Sequence, residues 1–69
     1  MSRIKEFREE HGYKQEYMAI FLNISPANYS KKENGIIKFS LPEAKKLADF
    51  FHTTIEALFF ENEVSKIDT

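Results

Sequence analysis

The chain contains no cysteine, which excludes a disulfide scaffold and thiolate metal sites and leaves a reducing compartment compatible with the composition. Long apolar runs are missing too. No stretch approaches the roughly 18 residues of a membrane span, and the N-terminus, MSRIKEFREE, is too charged for a signal peptide. A soluble, cytoplasmic protein without membrane contact is therefore expected. There is no Gly-rich phosphate loop, internal repeat, low-complexity tract or linker. The two histidines, His11 and His52, fall at expected helix ends with no spacing that implies a metal, and Ser25, Ser30 and Ser40 read as caps or surface groups rather than nucleophiles. A core this small also leaves little room for a substrate cavity. Neither an enzyme nor a cofactor or metal is expected.

An excess of charge is lacking as well: ten Lys and Arg face eleven acids, for a net charge of −1. The distribution is less even than the sum. Residues 1–38 hold seven basic residues against five acids (+2), and residues 39–69 hold three against six (−3). Lys31, Lys32 and Lys38 cluster with only Glu33 opposing, so a local basic patch is available while the acidic half faces away.

What the chain does hold is apolar residues at helical spacing. Hydrophobic residues make up 42% of its 69 positions and seven of them are Phe, enough for one domain with a single core. Ile4, Phe7 and His11 at i, i+3 and i+7 predict a first helix over residues 2–11 that stops at Gly12. A second helix opens at Lys14-Gln15 without a good side-chain cap and carries Met18, Ala19 and Leu22 inward. Asn23 tolerates the left-handed turn that ends it. Ile24 returns to the core, and Ser25-Pro26 is a cap followed by a residue suited to the first helical turn. The third helix turns Tyr29 inward and Ala27, Asn28, Ser30 and Lys31 outward, and Asn34-Gly35 breaks it. Phe39 is expected to enter the core, leaving Ile36 or Ile37 exposed. Ser40-Leu41-Pro42-Glu43 has the form of a capping box, so a fourth helix begins at Ser40, with Leu41, Ala44, Leu47, Ala48 and Phe51 as its buried stripe. His52 ends it. Thr54 caps a short fifth helix in which Ile55, Leu58 and Phe59 close the core.

Two short helices joined by a tight turn, QEYMAIFLNISPANYSKKENG, together with Arg8, Gly12, Ser40-Leu41, Leu47-Ala48 and Leu58-Phe59 at matching offsets, resemble the Cro and phage-repressor family of helix-turn-helix proteins, also named for the xenobiotic response element. The resemblance implies an all-α, compact five-helix bundle of lambda-repressor-like form, residues 1–60, followed by a polar tail, 61–69, expected to fray. It further implies double-stranded DNA as the partner, with the third helix in the major groove of a sequence-specific site. Carried over by position, the base readers are Pro26, Ala27, Asn28 and Lys31. Pro26 and Ala27 offer only contact with a thymine methyl, whereas Asn28 suits adenine and Lys31 suits guanine. The phosphate contacts would be Lys14, Gln15, Lys32, Asn34 and Lys38, and Arg8 would pair with Glu33. Two of these keep an alternative. Gln15 also reads as an exposed polar residue, and Lys32, where the family often has Ile or Leu, also reads as a stem lying on apolar surface with its ammonium in water.

The function implied is that of a transcriptional regulator, a repressor of phage or prokaryotic type. A second reading is an antirepressor-like protein that binds a partner repressor, suggested by the near-zero charge, the thin reading set and the apolar Ile36-Ile37 loop. Dimerisation is expected on a two-fold site. Phe60, Val64 and Ile67 fall at i, i+4 and i+7, so a fifth helix continuing past Glu61 would place them on one face, with Phe60 and Val64 as a homodimer contact.

Overall fold

Local signals in the chain decide where each helix starts and stops. The computed structural model describes residues 3–59 and 64–65, and within them the elements run α1 (Ile4–Glu10), α2 (Gln15–Leu22), α3 (Pro26–Glu33), β1 (Phe39–Ser40), α4 (Leu41–Phe50), α5 (Ile55–Leu58) and β2 (Val64–Ser65). Helix α1 gives way to Gly12 at φ 77°, and α2 to Asn23 at φ 60°, the left-handed region that glycine and asparagine enter at least cost. The Ser25 hydroxyl accepts from the Asn28 amide at 3.1 Å and Pro26 opens α3. At α4 the capping box is complete: the Glu43 amide donates to Ser40 Oγ, and the Ser40 amide donates to the Glu43 carboxylate. His52 stands just past α4 at φ 54°, a left-handed terminator that glycine would adopt more easily. The Thr54 hydroxyl accepts from the Ala57 amide and caps α5.

The core is assembled from one face of every helix. Ile4, Met18, Ala19, Tyr29, Ala44, Leu47 and Leu58 are fully buried, with Leu22, Phe39, Ala48, Phe51 and Phe59 nearly so. Phe7, Ile24 and Ile55, expected inside, are partly buried against this cluster. A second layer of rings surrounds Phe50, whose centroid lies 4.8 Å from that of Phe21 and 5.1 Å from that of Tyr13, which in turn stacks on Tyr17. Adjacent rings at such distances contribute beyond the area they bury, by about 0.5–1.5 kcal/mol a pair.

Three expectations are corrected. Leu41 is 45% exposed, because it occupies the first turn of α4, outside the stripe that begins at Ala44. The fold is the expected all-α bundle, and the tail adds to it one short parallel ladder, in which Phe39 pairs with Val64 and Ser40 with Ser65. Part of the segment expected to fray therefore returns to the domain, and Val64 packs against the core. The continued fifth helix is also overturned. Helix α5 ends at Leu58, Phe59 is extended at φ −130° and ψ 148°, and Val64 lies in a strand, so the chain turns Phe59 inward rather than carrying a helical face onward. Phe60 and Ile67 lie outside the described residues.

Candidate nucleic-acid interface

The turn between α2 and α3 is fixed by backbone hydrogen bonds. The Asn23 amide donates to the Ile20 carbonyl and the Ile24 amide to the Ala19 carbonyl, each at 3.0 Å, so the left-handed Asn23 closes α2 without leaving these two carbonyls unpaired. With Ser25 capping α3 and Tyr29 buried, the opposite side of α3 shows Pro26, Ala27, Asn28 and Lys31 to solvent. Lys14, Asn34 and Lys38 are exposed as well, at the start of α2 and after α3. Lys14 supplies no side-chain cap, and the first amides of α2 are left without that partner.

Beneath this surface lies a polar hub centred on Glu33. Its carboxylate accepts from Arg8 Nε at 2.9 Å, Arg8 Nη2 at 3.0 Å, the Tyr29 hydroxyl at 2.7 Å and Gln15 Nε2 at 2.9 Å. Arg8 Nη1 donates to the Tyr13 carbonyl at 2.8 Å. One buried carboxylate thus joins α1, α2 and both turns of α3. Burial pushes the Glu33 carboxyl up, but the hydrogen bonds from Arg8, Tyr29 and Gln15 outweigh it and hold the group below the usual carboxylate range. The same burial, together with the bond to Glu33, pushes the Tyr29 hydroxyl up, so it stays a donor.

The family model that matches this chain is described as helix-turn-helix, of the Cro/C1 type, and it covers residues 4–58. The chain belongs to the Cro/C1-type helix-turn-helix family. No curated protein and no solved structure matches it. Cro/C1-type domains are DNA-binding regulatory domains rather than enzymes. Among the described residues of this one, no helix is long and apolar enough to cross a membrane.

Within this Cro/C1-type domain, two of the expected phosphate residues are engaged elsewhere. Lys32 is neither free in water nor turned toward solvent with Lys31. Its ammonium donates to Glu43 Oε1 at 2.6 Å, 5.9 Å from the Phe39 ring centroid, with only 13% of the side chain exposed. Its position three residues after the buried Tyr29 turns it toward α4, and the acid in the capping box takes it up. Gln15 gives one amide hydrogen to Glu33. The basic patch changes accordingly. Glu33 no longer opposes it, being paired with Arg8, and Lys32 no longer adds to it, which leaves Lys31 and Lys38 as its exposed cations.

The Arg8–Glu33 pair was legible from the resemblance alone, while Tyr13, Tyr29 and Gln15 as its partners were not. The spacing of Tyr29 and Glu33 at i and i+4 was the available signal, since such residues share a helix face. Nothing comparable in the sequence pointed to the Lys32–Glu43 bond, which joins positions eleven residues apart across a turn.

Proposed function

We propose that the domain is a cytoplasmic, sequence-specific regulator of transcription, a Cro or phage-repressor-like protein that binds duplex DNA with α3 in the major groove. The observation that carries this reading is the division of α3 into two sides. Tyr29 and Glu33 anchor one side in the core, while Pro26, Ala27, Asn28 and Lys31 stand exposed on the other, next to a left-handed turn that leaves the helix N-terminus accessible. Lys14, Asn34 and Lys38 hold the phosphates. Gln15 joins them, since an amide has two donor hydrogens and Glu33 takes one. Lys32 is left out of this set, because reaching DNA would break its bond to Glu43. A second copy on a two-fold site supplies the other half of the recognition surface.

The test separates residues that hold the backbone from residues that read bases. Lys38→Ala is expected to weaken all duplexes alike and to make the salt dependence shallower by roughly one unit. Asn28→Ala and Lys31→Ala are expected to shrink the gap between a selected operator and a scrambled one, by about 1–3 kcal/mol for each good base contact. Equal losses on both sequences would remove Asn28 and Lys31 from the reading set. One observation favours a second reading, in which the domain binds a partner repressor: Ile36 is 72% and Ile37 40% exposed. Binding through that loop would change little with salt, whereas duplex binding weakens steeply.

A further inference from the structure

The loop that carries Lys38 is held at both ends by one carboxylate. At its entry, the Gly35 amide donates to the Lys32 carbonyl, and the Ile36 and Ile37 amides donate to the Lys31 carbonyl at 2.9 and 3.3 Å, so the loop follows the last turn of α3. At its exit, Phe39 is buried and the Ser40 amide donates to Glu43 Oε1 at 2.9 Å. That same oxygen accepts the Lys32 ammonium at 2.6 Å. Among the described residues this is the one side-chain hydrogen bond between α3 and α4. Both side chains are largely withdrawn from water, 13% and 16% exposed, so the pair is screened less than a surface one.

We propose that Glu43, acting through Lys32, is a positioning residue for DNA binding: it locks the end of α3 to the start of α4 and thereby sets where Lys38 meets the phosphate backbone. Neither Glu43 nor Lys32 touches DNA. The inference rests on the duplex-binding reading and adds to it a part of the machinery that lies off the DNA surface.

Charge alone makes an opposite forecast for Glu43, and that makes the proposal testable. Glu43→Gln keeps an acceptor for the Ser40 amide, since glutamine also serves in a capping box, but removes the ion pair and makes the domain more positive. If electrostatics alone mattered, duplex binding would tighten. Positioning requires it to weaken. Lys32→Met keeps an unbranched apolar stem and removes the ammonium that stands 5.9 Å from the Phe39 ring centroid. Both variants are expected to weaken a selected and a scrambled duplex alike, by roughly two- to thirtyfold, the range seen when residues act through a network. Lys32→Arg, which can still reach Glu43, is expected to restore parental binding.

The effect should also vanish in a Lys38→Ala background, because its route runs through Lys38. Both variants lose some stability in either case, since each removes one partner of a largely withdrawn ion pair; a purely structural role would leave binding in the cold, where the variants are folded, unchanged, or add its loss to that of Lys38→Ala. Either of these binding results, or tighter binding by Glu43→Gln, overturns the proposal. A separate measurement guards against confusion with failure of the duplex-binding reading. In the free protein, hydrogen exchange at the Ile36 and Ile37 amides should quicken in both variants if the lock orders the loop. A parent that binds no duplex sinks the DNA-binding reading, whereas unchanged exchange sinks the lock.

Discussion

Arg8→Ala is expected to lower the stability of the domain by about 3–5 kcal/mol, the usual cost of removing one partner from a buried ion pair. The Glu33 side chain is 1% exposed and Arg8 gives it two hydrogen bonds, so the variant leaves a carboxylate out of water with only Tyr29 and Gln15 as donors. At about 0.05–0.15 kcal/mol per residue, a domain of this length has little stability beyond that loss. Urea denaturation of the parent and the variant gives the number. The cost comes from the stranded charge more than from lost attraction, so Arg8→Met combined with Glu33→Gln should be less destabilised than Arg8→Met alone. A loss under about 1 kcal/mol for Arg8→Ala would mean that Glu33 can be rehydrated in place, contrary to its burial.

The same hub shapes the acid limb of stability. Burial raises the Glu33 carboxyl and the bonds from Arg8, Tyr29 and Gln15 lower it further than burial raises it. At Glu43, burial is likewise outweighed by Lys32 and the Ser40 amide. Both groups therefore titrate lower in the folded chain than in the unfolded one. As pH falls, the unfolded chain takes up protons first, so this stabilisation is complete above the ordinary glutamate value, about 4.3, and is lost as pH drops through the folded values. Midpoints measured between neutral pH and pH 3 should stay level at first and then fall. Glu33→Gln should flatten the fall, and an acid limb equally steep in that variant would assign it to other carboxylates.

The elements of this fold were legible because each boundary is written in local chemistry: Gly12, Asn23, Ser25-Pro26, the Ser40 and Glu43 box, and Thr54 act within a few residues of where they stand. The buried faces of α2, α3 and α4 followed from spacing, apart from Leu41, whose place in the first turn lets it face solvent. Non-local pairings were harder. The β1–β2 ladder brings together residues about 25 positions apart through backbone groups that every residue has, and no side-chain pattern announces it. It also explains the error at the C-terminus, where Val64 has the spacing for a helical face and the backbone of a strand. In the candidate interface, exposure on α3 followed from the inward direction of Tyr29. The partners of Lys32 and Gln15 did not, because long polar side chains reach whichever acid the tertiary fold brings near.

Phe51→Ala is expected to be the other severe change, costing about 3–5 kcal/mol, while the same deletion at the neighbouring Phe50 costs less, by roughly 1–2 kcal/mol. Both lose the same atoms, so the difference reports their surroundings. Phe51 is 5% exposed, and its ring centroid lies 5.0 Å from those of Phe50 and His11 and 5.9 Å from that of Phe7; truncation there opens a void bounded by rings of α1 and of the loop after it. Phe7 and His11 are held on α1 and its C-cap and Phe50 on α4, two helices each fixed by its own buried residues, so the rings cannot all close in. Phe50 is half-buried beneath Tyr13, Tyr17 and Phe21, and Tyr17 is itself 48% exposed, so the space it vacates borders water and a movable ring. Thermal and urea unfolding of the two variants, with Phe51→Leu as an intermediate, should give Phe51→Ala the lowest midpoint and Phe50→Ala a clearly higher one. Equal midpoints would show that the outer rings are as tightly bound as the inner core, and that the side of Phe50 nearest Tyr17 is closed to water.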